Sequence, residues 1–272
     1  RAAVELAIID SLLKNQQKSL NCILPAKSQN VTYSGVFSSE NLTKTIELAK
    51  RAKETGLQYI KIKVGKISDI ERIAVVRDIM GQSASIRLDA NGAFSVKKAI
   101  QFIKSVETFT IDSIEQPVKR GNVADLATVR VNSPIPIMAD ESIVTYDDAK
   151  ELIENNACDY FNLRISKCGG LHSSLAIADL AEQNAIKLQL GCHVGETAVL
   201  SAAGRHLAAH LPNIKFVEGS YSTLLLTEDI SKENIVFGNG GVAPIFTGYG
   251  FGVNIQEETL KKYSKNYIVM DK

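Results

Sequence analysis

The sequence contains no tryptophan and no long apolar segment. None of its apolar runs approaches the ~20 residues that a helix needs to cross a bilayer. The first residues show no basic segment followed by a cleavage site, the pattern of a secretory signal peptide. We therefore expect no membrane partner, and a cytoplasmic location is the default expectation.

Cysteine is scarce and scattered. The four cysteines are Cys22, Cys158, Cys168 and Cys192, and no two of them form a C-x-x-C pair. This spacing argues against a zinc knuckle and against a disulfide framework. We predict reduced thiols with structural roles.

The chain has almost no net charge, because 31 basic residues balance 30 acidic residues to give +1. It therefore lacks the long-range field that favours nucleic acid or an anionic membrane surface. A small molecule is the expected partner. The length of 272 residues, 45% of them hydrophobic, suits one large barrel or two smaller domains. The sequence gives no count of subunits, and a homo-oligomer stays open.

Short β-branched runs alternate with amphipathic segments at a spacing of roughly 25 residues, the pattern of repeated βα units. The predicted strands are Val31–Ser38, Tyr59–Val64, Ser85–Ala90, Asp112–Gln116, Pro136–Asp140, Tyr160–Ile165, Lys187–Gly191 and Lys215–Glu218. The predicted helices include Asn41–Glu54, Asp69–Met80, Val96–Val106, Tyr146–Asn155, Leu171–Gln183 and Glu196–His210. Ser68, Ser95 and Thr145 are predicted helix caps, and Gly56 and Gly81 are predicted helix ends.

Eight such units predict a (β/α) barrel of the triosephosphate isomerase type. The competing fold is a doubly wound open sheet. Its dinucleotide-binding loop, G-x-G-x-x-G between the first strand and helix, is absent. Gly248, Gly250 and Gly252 come late and predict a C-terminal loop. The chain opens at Arg1 directly in a helical pattern, from which we expect a missing piece upstream.

Ionisable residues end five consecutive predicted strands, where the functional groups of a (β/α) barrel stand. The five ends read Lys61-Ile62-Lys63, Asp89-Ala90-Asn91, Glu115-Gln116-Pro117, Asp140-Glu141-Ser142 and Ser166-Lys167-Cys168-Gly169-Gly170. The acids Asp89, Glu115 and Asp140 are each one βα repeat apart, so neighbouring strands present them side by side. Three converging carboxylates need a cation, and oxygen ligands favour Mg²⁺ over zinc, with Mn²⁺ as an alternative ion.

Two lysines flank these acids, since Lys63 ends the second strand and Lys167 follows the sixth. A substrate carbon between them is reachable from both faces. A lysine acts as a base near neutral pH when a neighbouring cation lowers its pKa. Lys61 shares a strand face with Lys63 and can supply that effect, although a surface ammonium is an equally weighted reading of Lys61.

These motifs resemble the enolase superfamily, and within it the muconate lactonizing branch of the mandelate racemase/muconate lactonizing enzyme family. The matching segments are Lys61-Ile62-Lys63, Leu88-Asp89-Ala90-Asn91-Gly92, Ile114-Glu115-Gln116-Pro117, Ala139-Asp140-Glu141-Ser142 and Asn162-Leu163-Arg164-Ile165-Ser166-Lys167-Cys168-Gly169-Gly170. Each segment is weak alone, and their order and spacing make the set specific. Enolase-superfamily sites use a Lys or His base with Mg²⁺.

The resemblance implies a role for each matching residue. Asp89, Glu115 and Asp140 would bind Mg²⁺, and Lys63 and Lys167 would be the acid/base pair. The supporting residues it implies are Lys61, Asn91, Glu141 and Asn162. The implied fold is a (β/α)7β barrel over residues 1–272 with a C-terminal tail. The family's N-terminal α+β capping domain is apparently absent from this chain.

The last predicted strand departs from the pattern of similar dipeptide epimerases, which carry Asp-x-Asp on strand eight. Here that stretch reads Val217-Glu218-Gly219-Ser220-Tyr221, which makes a dipeptide substrate less expected. Strand seven leads into Gly191-Cys192-His193-Val194-Gly195-Glu196-Thr197, a segment able to contribute polar groups. We take His193 and Glu218 as candidate substrate contacts, and for His193 a structural role is an equal alternative.

The expected reaction is Mg²⁺-dependent removal of the proton next to a substrate carboxylate, through an enediolate. If both lysines exchange protons with the substrate, the enzyme is a racemase or epimerase. If only one lysine does so, the same intermediate leads to cycloisomerisation or to loss of a β-group. β-Elimination of the o-succinylbenzoate synthase kind is the next alternative. A Schiff-base aldolase using Lys167 and a non-catalytic fragment are the alternatives from other classes.

Overall fold

A computed structural model gives the structure of the chain and describes residues 1–233, 235–266 and 268. The strands are β1 (Asn30–Thr32), β2 (Gly35–Phe37), β3 (Tyr59–Lys63), β4 (Ser85–Asp89), β5 (Ser113–Glu115), β6 (Ile137–Ala139), β7 (Tyr160–Leu163), β8 (Lys187–Leu190), β9 (Ile214–Val217) and β10 (Val242–Pro244). The α-helices are α1 (Ala2–Asn15), α2 (Leu42–Glu54), α3 (Asp69–Met80), α4 (Val96–Val106), α5 (Val123–Val131), α6 (Tyr146–Glu154), α7 (Leu171–Gln183), α8 (Ala198–His210), α9 (Ser222–Leu225) and α10 (Glu257–Tyr263). Within the predicted C-terminal tail, residues 267 and 269–272 lie outside the described residues.

Strands β2 to β9 form one eight-stranded sheet in chain order, and each strand pairs in parallel with the next. The helices α2 to α8 alternate with these strands, so the element order is that of a (β/α)7β barrel. The backbone N–H of Ser34 donates to the carbonyl of Val217 over 2.8 Å, which links the first and last strands. The barrel prediction is confirmed.

The predicted strand Val31–Ser38 is wrong as a single element, because two strands occupy it. β1 pairs antiparallel with β10, whereas β2 pairs in parallel with β3. Between them, the N–H of Tyr33 donates to the carbonyl of Gly241. The break arises because a segment more than 200 residues later in the chain supplies the partner of the first half. Hydrophobic pattern alone carries no signal for such a distant pairing.

The helix caps follow local hydrogen bonding. Thr145 caps α6 in a reciprocal capping box with Asp148, as predicted. Ser68 and Ser95 occupy the N-cap positions of α3 and α4, as predicted, but neither side chain makes a cap hydrogen bond. Asp69, the first residue of α3, instead fixes the preceding loop, because its carboxylate accepts the N–H groups of residues 65 and 66.

Two glycines with positive φ follow helices. Gly56 and Gly81 have φ of +74° and +82° and lie directly after α2 and α3, as predicted. Helix α5 was not among the predicted helices, and its cap is Asn122, which accepts the N–H of Ala124 over 3.2 Å. No helix of the described residues has the length and apolar character needed to cross a membrane.

Alternation along the strands separates an apolar layer from a barrel interior of mixed polarity. Ile60 and Ile62 belong to the large apolar cluster that includes the helices. Intervening residues point inside, where Tyr59, Met138, Tyr160 and Phe216 form a small separate cluster. The guanidinium of Arg87 lies 4.3 Å from the centre of the Phe216 ring. Polar side chains therefore begin directly above this apolar floor, towards the carboxyl ends of the strands.

Candidate active site

The strand register places the predicted acids at one end of the barrel. Asp89 is the register partner of both Lys63 on β3 and Glu115 on β5. Glu115 is in turn opposite Met138, and Asp140 stands two residues beyond it on the same face. The three acids are 0–2% exposed. The structure therefore brings Asp89, Glu115 and Asp140 to neighbouring, buried positions.

Lys61 lies at the centre of the negative charge. Its Nζ is 2.9 Å from Asp89 Oδ2, 3.1 Å from Glu115 Oε2 and 2.8 Å from Glu218 Oε2. Burial lowers the pKa of Lys61, but the three carboxylates outweigh that effect and hold the pKa well above its ordinary value. The interpretation of Lys61 as a surface ammonium is therefore wrong. The buried position of Lys61 suits the alternative, an electrostatic role in the site.

Lys63 lies on the solvent side of Lys61 and is more exposed. Its Nζ donates to Asp89 Oδ2 over 2.6 Å and to Asn91 Oδ1 over 2.7 Å. Asn91 donates in turn to Glu141 over 2.9 Å. Asn91 and Glu141, predicted as supporting residues, thus form a hydrogen-bonded chain that leads away from the Lys63 ammonium.

Lys167 is fixed by oxygens on the opposite flank of the acids. Its Nζ donates to Asp140 Oδ1 over 2.7 Å and to the carbonyls of Asp140 and Asn162 over 2.6 and 2.9 Å. Arg164 Nη2 donates to both carboxylate oxygens of Asp140 over 2.5 and 2.6 Å. Burial raises the pKa of Asp140, but Lys167 and Arg164 outweigh it and lower the pKa.

Glu115 is the most buried of the three acids, and it contacts one basic side chain where Asp89 and Asp140 each contact two. Asn162 donates to Oε1 over 2.8 Å and Gln189 donates to Oε2 over 2.9 Å. Burial and the neighbouring Asp89 raise the pKa of Glu115 to about 8 in spite of the Lys61 ammonium. A further positive charge at this carboxylate would stabilise its ionised form.

Glu218 joins the buried network from the last strand. Its Oε2 accepts from Lys61, and its Oε1 accepts from Arg87 over 3.1 Å. Arg87 also contacts Gln189, which carries the network to Glu115. Glu218 was predicted to contact the substrate. It is only 6% exposed, and its carboxylate already accepts hydrogen bonds from Lys61 and Arg87. His193, the other candidate, is exposed on the loop after β8.

The prediction from sequence did not assign roles to Arg87, Arg164 and Gln189. The alternation of side chains along a strand could have identified Arg87, because residues two apart share a strand face and Arg87 precedes Asp89 by two. Arg164 likewise shares the face of Asn162. A charged or amide side chain within an otherwise apolar strand, in phase with a predicted ligand, marks the barrel interior.

Asp89, Glu115 and Asp140 are the candidate ligands of a divalent cation. In the described part of the chain, no three His, Cys, Asp or Glu side chains lie together in metal-binding geometry. Ammonium and guanidinium groups contact the oxygens of Asp89 and Asp140. The donor set nevertheless fits a hard cation, because it consists of carboxylates on three adjacent strands. Within the same described residues, Asn162 Oδ1 beside Glu115 is buried without a hydrogen-bond partner.

Proteins of known name or structure resemble this chain in sequence and in fold. The chain is 32% identical over 269 residues to the D-Ala-D/L-Ala epimerase of Cytophaga hutchinsonii, covering 97% of this chain and 72% of the epimerase. The structure of a dipeptide epimerase from C. hutchinsonii, complexed with Mg and the dipeptide D-Ala-L-Val, superposes with a TM-score of 0.89 at 31% identity, covering 96% of this chain and 71% of that one. The muconate lactonizing enzyme of Pseudomonas fluorescens, complexed with muconolactone, gives a TM-score of 0.90 at 28% identity, covering 96% and 71%.

These relatives and the family model agree on one assignment. Residues 44–259 match the family model described as Enolase C-terminal domain-like. The relatives are isomerases by name, and the (β/α)7β order of this chain is the order expected of their barrel. The chain therefore belongs to the Enolase C-terminal domain-like family, among the enzymes of the mandelate racemase/muconate lactonizing enzyme group of the enolase superfamily.

Proposed function

We propose that this chain catalyses Mg²⁺-dependent removal of the proton α to a substrate carboxylate, and that the outcome is an isomerisation. The observation that carries the proposal is the placement of Lys63 and Lys167 on either flank of Asp89, Glu115 and Asp140. Two amines on opposite flanks of a carboxylate set can serve the two faces of one carbon.

The proposed metal ligands are Asp89, Glu115 and Asp140, and the proposed ion is Mg²⁺, with Mn²⁺ as the alternative. Their donor type supports this choice, as does the Mg in the C. hutchinsonii complex. When bound, the ion would supply Lewis-acid stabilisation of the negative charge that develops on the substrate carboxylate. Binding would also relieve the repulsion that raises the pKa of Glu115.

The lysines would carry the proton transfers. Lys63 takes or returns the α-proton on one face, and Lys167 does so on the other. Asn162 orients Lys167 through its backbone carbonyl, and Asn91 orients Lys63 through its side-chain oxygen. The buried ammonium of Lys61 lies against the same Asp89 oxygen as Lys63 Nζ, so Asp89 holds both lysines on this flank of the site.

The substrate class is a small carboxylic acid with an acidic α-hydrogen. The relatives act on amino-acid-like molecules or a muconate-derived lactone by name, which supports a carboxylate and leaves racemisation, epimerisation and cycloisomerisation to be separated. Glu218 is already paired with Lys61 and Arg87, so it is not free to hold a substrate cation. We therefore place Glu218 in support of the site rather than in contact with substrate.

The test is hydrogen exchange in D₂O. The protein is incubated with Mg²⁺ and a panel of N-acylated amino acids, dipeptides and unsaturated diacids, and α-deuteration and product formation are followed by NMR. Exchange that needs Mg²⁺ and stops with a chelator supports the proposal. Metal-independent turnover of a carbonyl compound, trapped on Lys167 by borohydride, would instead indicate the Schiff-base alternative.

A further inference from the structure

A narrow cavity opens beside the carboxylate set, between the ends of β7, β8 and β9 and the start of α8. Its interior space is about 10 Å³, close to the room that a single small group such as a water or an ammonium needs. Polar groups of Arg164, Glu196 and Ser201 line one part of it, and the apolar side chains of Leu190 and Leu200 line another. Because Arg164 is bonded to Asp140, the cavity adjoins the proposed reaction site.

Glu196 is the acidic group of this cavity that the buried network leaves aside. Its Oε1 accepts from the Ser201 hydroxyl over 3.0 Å and its Oε2 accepts from the His193 N–H over 3.3 Å. Among the described residues, no lysine, arginine or histidine lies within ion-pair distance of Glu196. Asp89 and Asp140, by contrast, each contact two basic side chains.

The cations near Glu196 are committed to other partners. Arg164, which lines the same cavity, has both of its short bonds to Asp140. Lys61 and Arg87 are held by Glu218 and the deeper acids. Burial raises the pKa of Glu196 to about 7, although Ser201 and His193 act against that rise. A cation entering the cavity would therefore meet a carboxylate that lacks a counter-charge.

Glu196 is not needed to cap the neighbouring helix. The N–H of Ala198, at the start of α8, donates to both carboxylate oxygens of Asp229 over 3.1 Å. Gly219 on the facing strand end keeps the carboxylate unobstructed. A Cβ there would lie 3.0 Å from Glu196 Oε1, and its φ of +127° suits glycine.

We infer that Glu196 is a specificity-determining residue that accepts a primary ammonium group of the substrate in this cavity. The inference rests on the proposed function, because the substrate carboxylate would lie at the acid set while its ammonium end reaches Glu196. Leu200 adds an apolar side chain to the cavity lining beside the ammonium. The narrow shape favours a compact ammonium over a planar guanidinium.

Direct binding separates this inference from the reaction. Calorimetry in Mg²⁺ compares 6-aminohexanoate with hexanoate, which has the same stem and carboxylate but no ammonium. We expect the wild-type chain to bind 6-aminohexanoate roughly tenfold or more tightly, since a charge-assisted hydrogen bond exceeds a neutral contact by that order. Glu196→Gln should reduce the ratio to about one, whereas Glu154→Gln, an exposed control on α6, should keep it.

Two further arms locate the ammonium and test a merely structural role. Comparing the rate of α-deuteration of N-acetyl-lysine with that of N-acetyl-norleucine shows whether the bound ammonium is on the side chain. Comparing the rate for a dipeptide with that for its N-acetyl form shows whether it is the α-ammonium. Ser201→Ala removes a hydrogen bond to Glu196 but keeps the charge, so the binding ratio should stay well above one. Equal losses in Ser201→Ala and Glu196→Gln, or a wild-type ratio near one, would overturn the inference. A Glu196-dependent ratio without α-exchange of any acid would overturn the proposed reaction and leave the ammonium site standing.

Discussion

Lys61 on the second strand of the barrel donates to Glu218 at the end of the last strand over 2.8 Å, across 157 positions of sequence. The same ammonium also contacts Asp89 and Glu115. One buried cation thus joins three acids from three strands. Its removal would leave those acids desolvated and mutually repulsive.

We predict that Lys61→Met lowers the free energy of unfolding by about 3–5 kcal/mol, the usual cost of leaving buried charge uncompensated. Urea denaturation measures it. Lys150→Met is the matched control, because Lys150 forms an exposed pair with Glu154, 3.7 Å apart. That control should change stability by no more than about 0.5 kcal/mol. A loss in Lys61→Met as small as in the control would mean that water or protonation already compensates the acids.

The barrel fold and the charged residues at the ends of its strands could be predicted from the sequence. Strand spacing placed Asp89, Glu115 and Asp140 one unit apart, and parallel register turns that spacing into adjacency. Lys61 and Lys63 share one face by the period of two, and both indeed contact Asp89 Oδ2. These results depend only on local geometry repeated around a closed sheet.

The pairing of side chains within the barrel could not be predicted from the sequence. Arg164 meets Asp140, and Arg87 meets Glu218, through contacts between separate strands. Which cation faces which acid depends on strand tilt and rotamers, and neither has a local sequence signal. The same limit hid the β1–β10 pairing, since the partner lies near the other end of the chain.

Lys63 and Lys167 should act on opposite faces of the substrate carbon, because they flank the acids from β3 and from the loop after β7. We predict that Lys63→Ala loses exchange of one enantiomer and Lys167→Ala loses exchange of the other, each by about 10²–10⁴-fold. Deuterium incorporation into each pure enantiomer, followed by NMR, provides the measurement. Loss of both enantiomers equally in one variant and of neither in the other would indicate a single base.

Asp140 should be required for metal binding. We predict that Asp140→Asn weakens Mg²⁺ binding at least about tenfold, since a charged oxygen ligand is replaced by a neutral amide. Calorimetry on the intact chain measures this without reference to turnover. Asp147→Asn, at an exposed position in the first turn of α6, is the control and should bind Mg²⁺ as the wild type does. Equal affinity in both variants would remove Asp140 from the ligand set.

Glu196 should make the stability of the chain depend on pH. Burial raises its pKa in the folded state to about 7, from 4.5 when free. Between these values the folded state holds a proton that the unfolded state has lost, so stability falls as pH rises through this window. We predict that Glu196→Gln gains stability relative to the wild type by about 3 kcal/mol between about pH 4.5 and 8. Urea denaturation across that range, without added metal or ligand, measures the difference.

The exposed Glu154→Gln variant provides the reference for that experiment, and its pH curve should run parallel to that of the wild type. Glu115 is ionised with difficulty in all three proteins, so its contribution cancels when the curves are subtracted. A constant difference between Glu196→Gln and the wild type would mean that Glu196 already has a cationic partner in solution. Adding 6-aminohexanoate should reduce the pH dependence of the wild type alone, because an ammonium bound at Glu196 stabilises its ionised form and lowers its pKa.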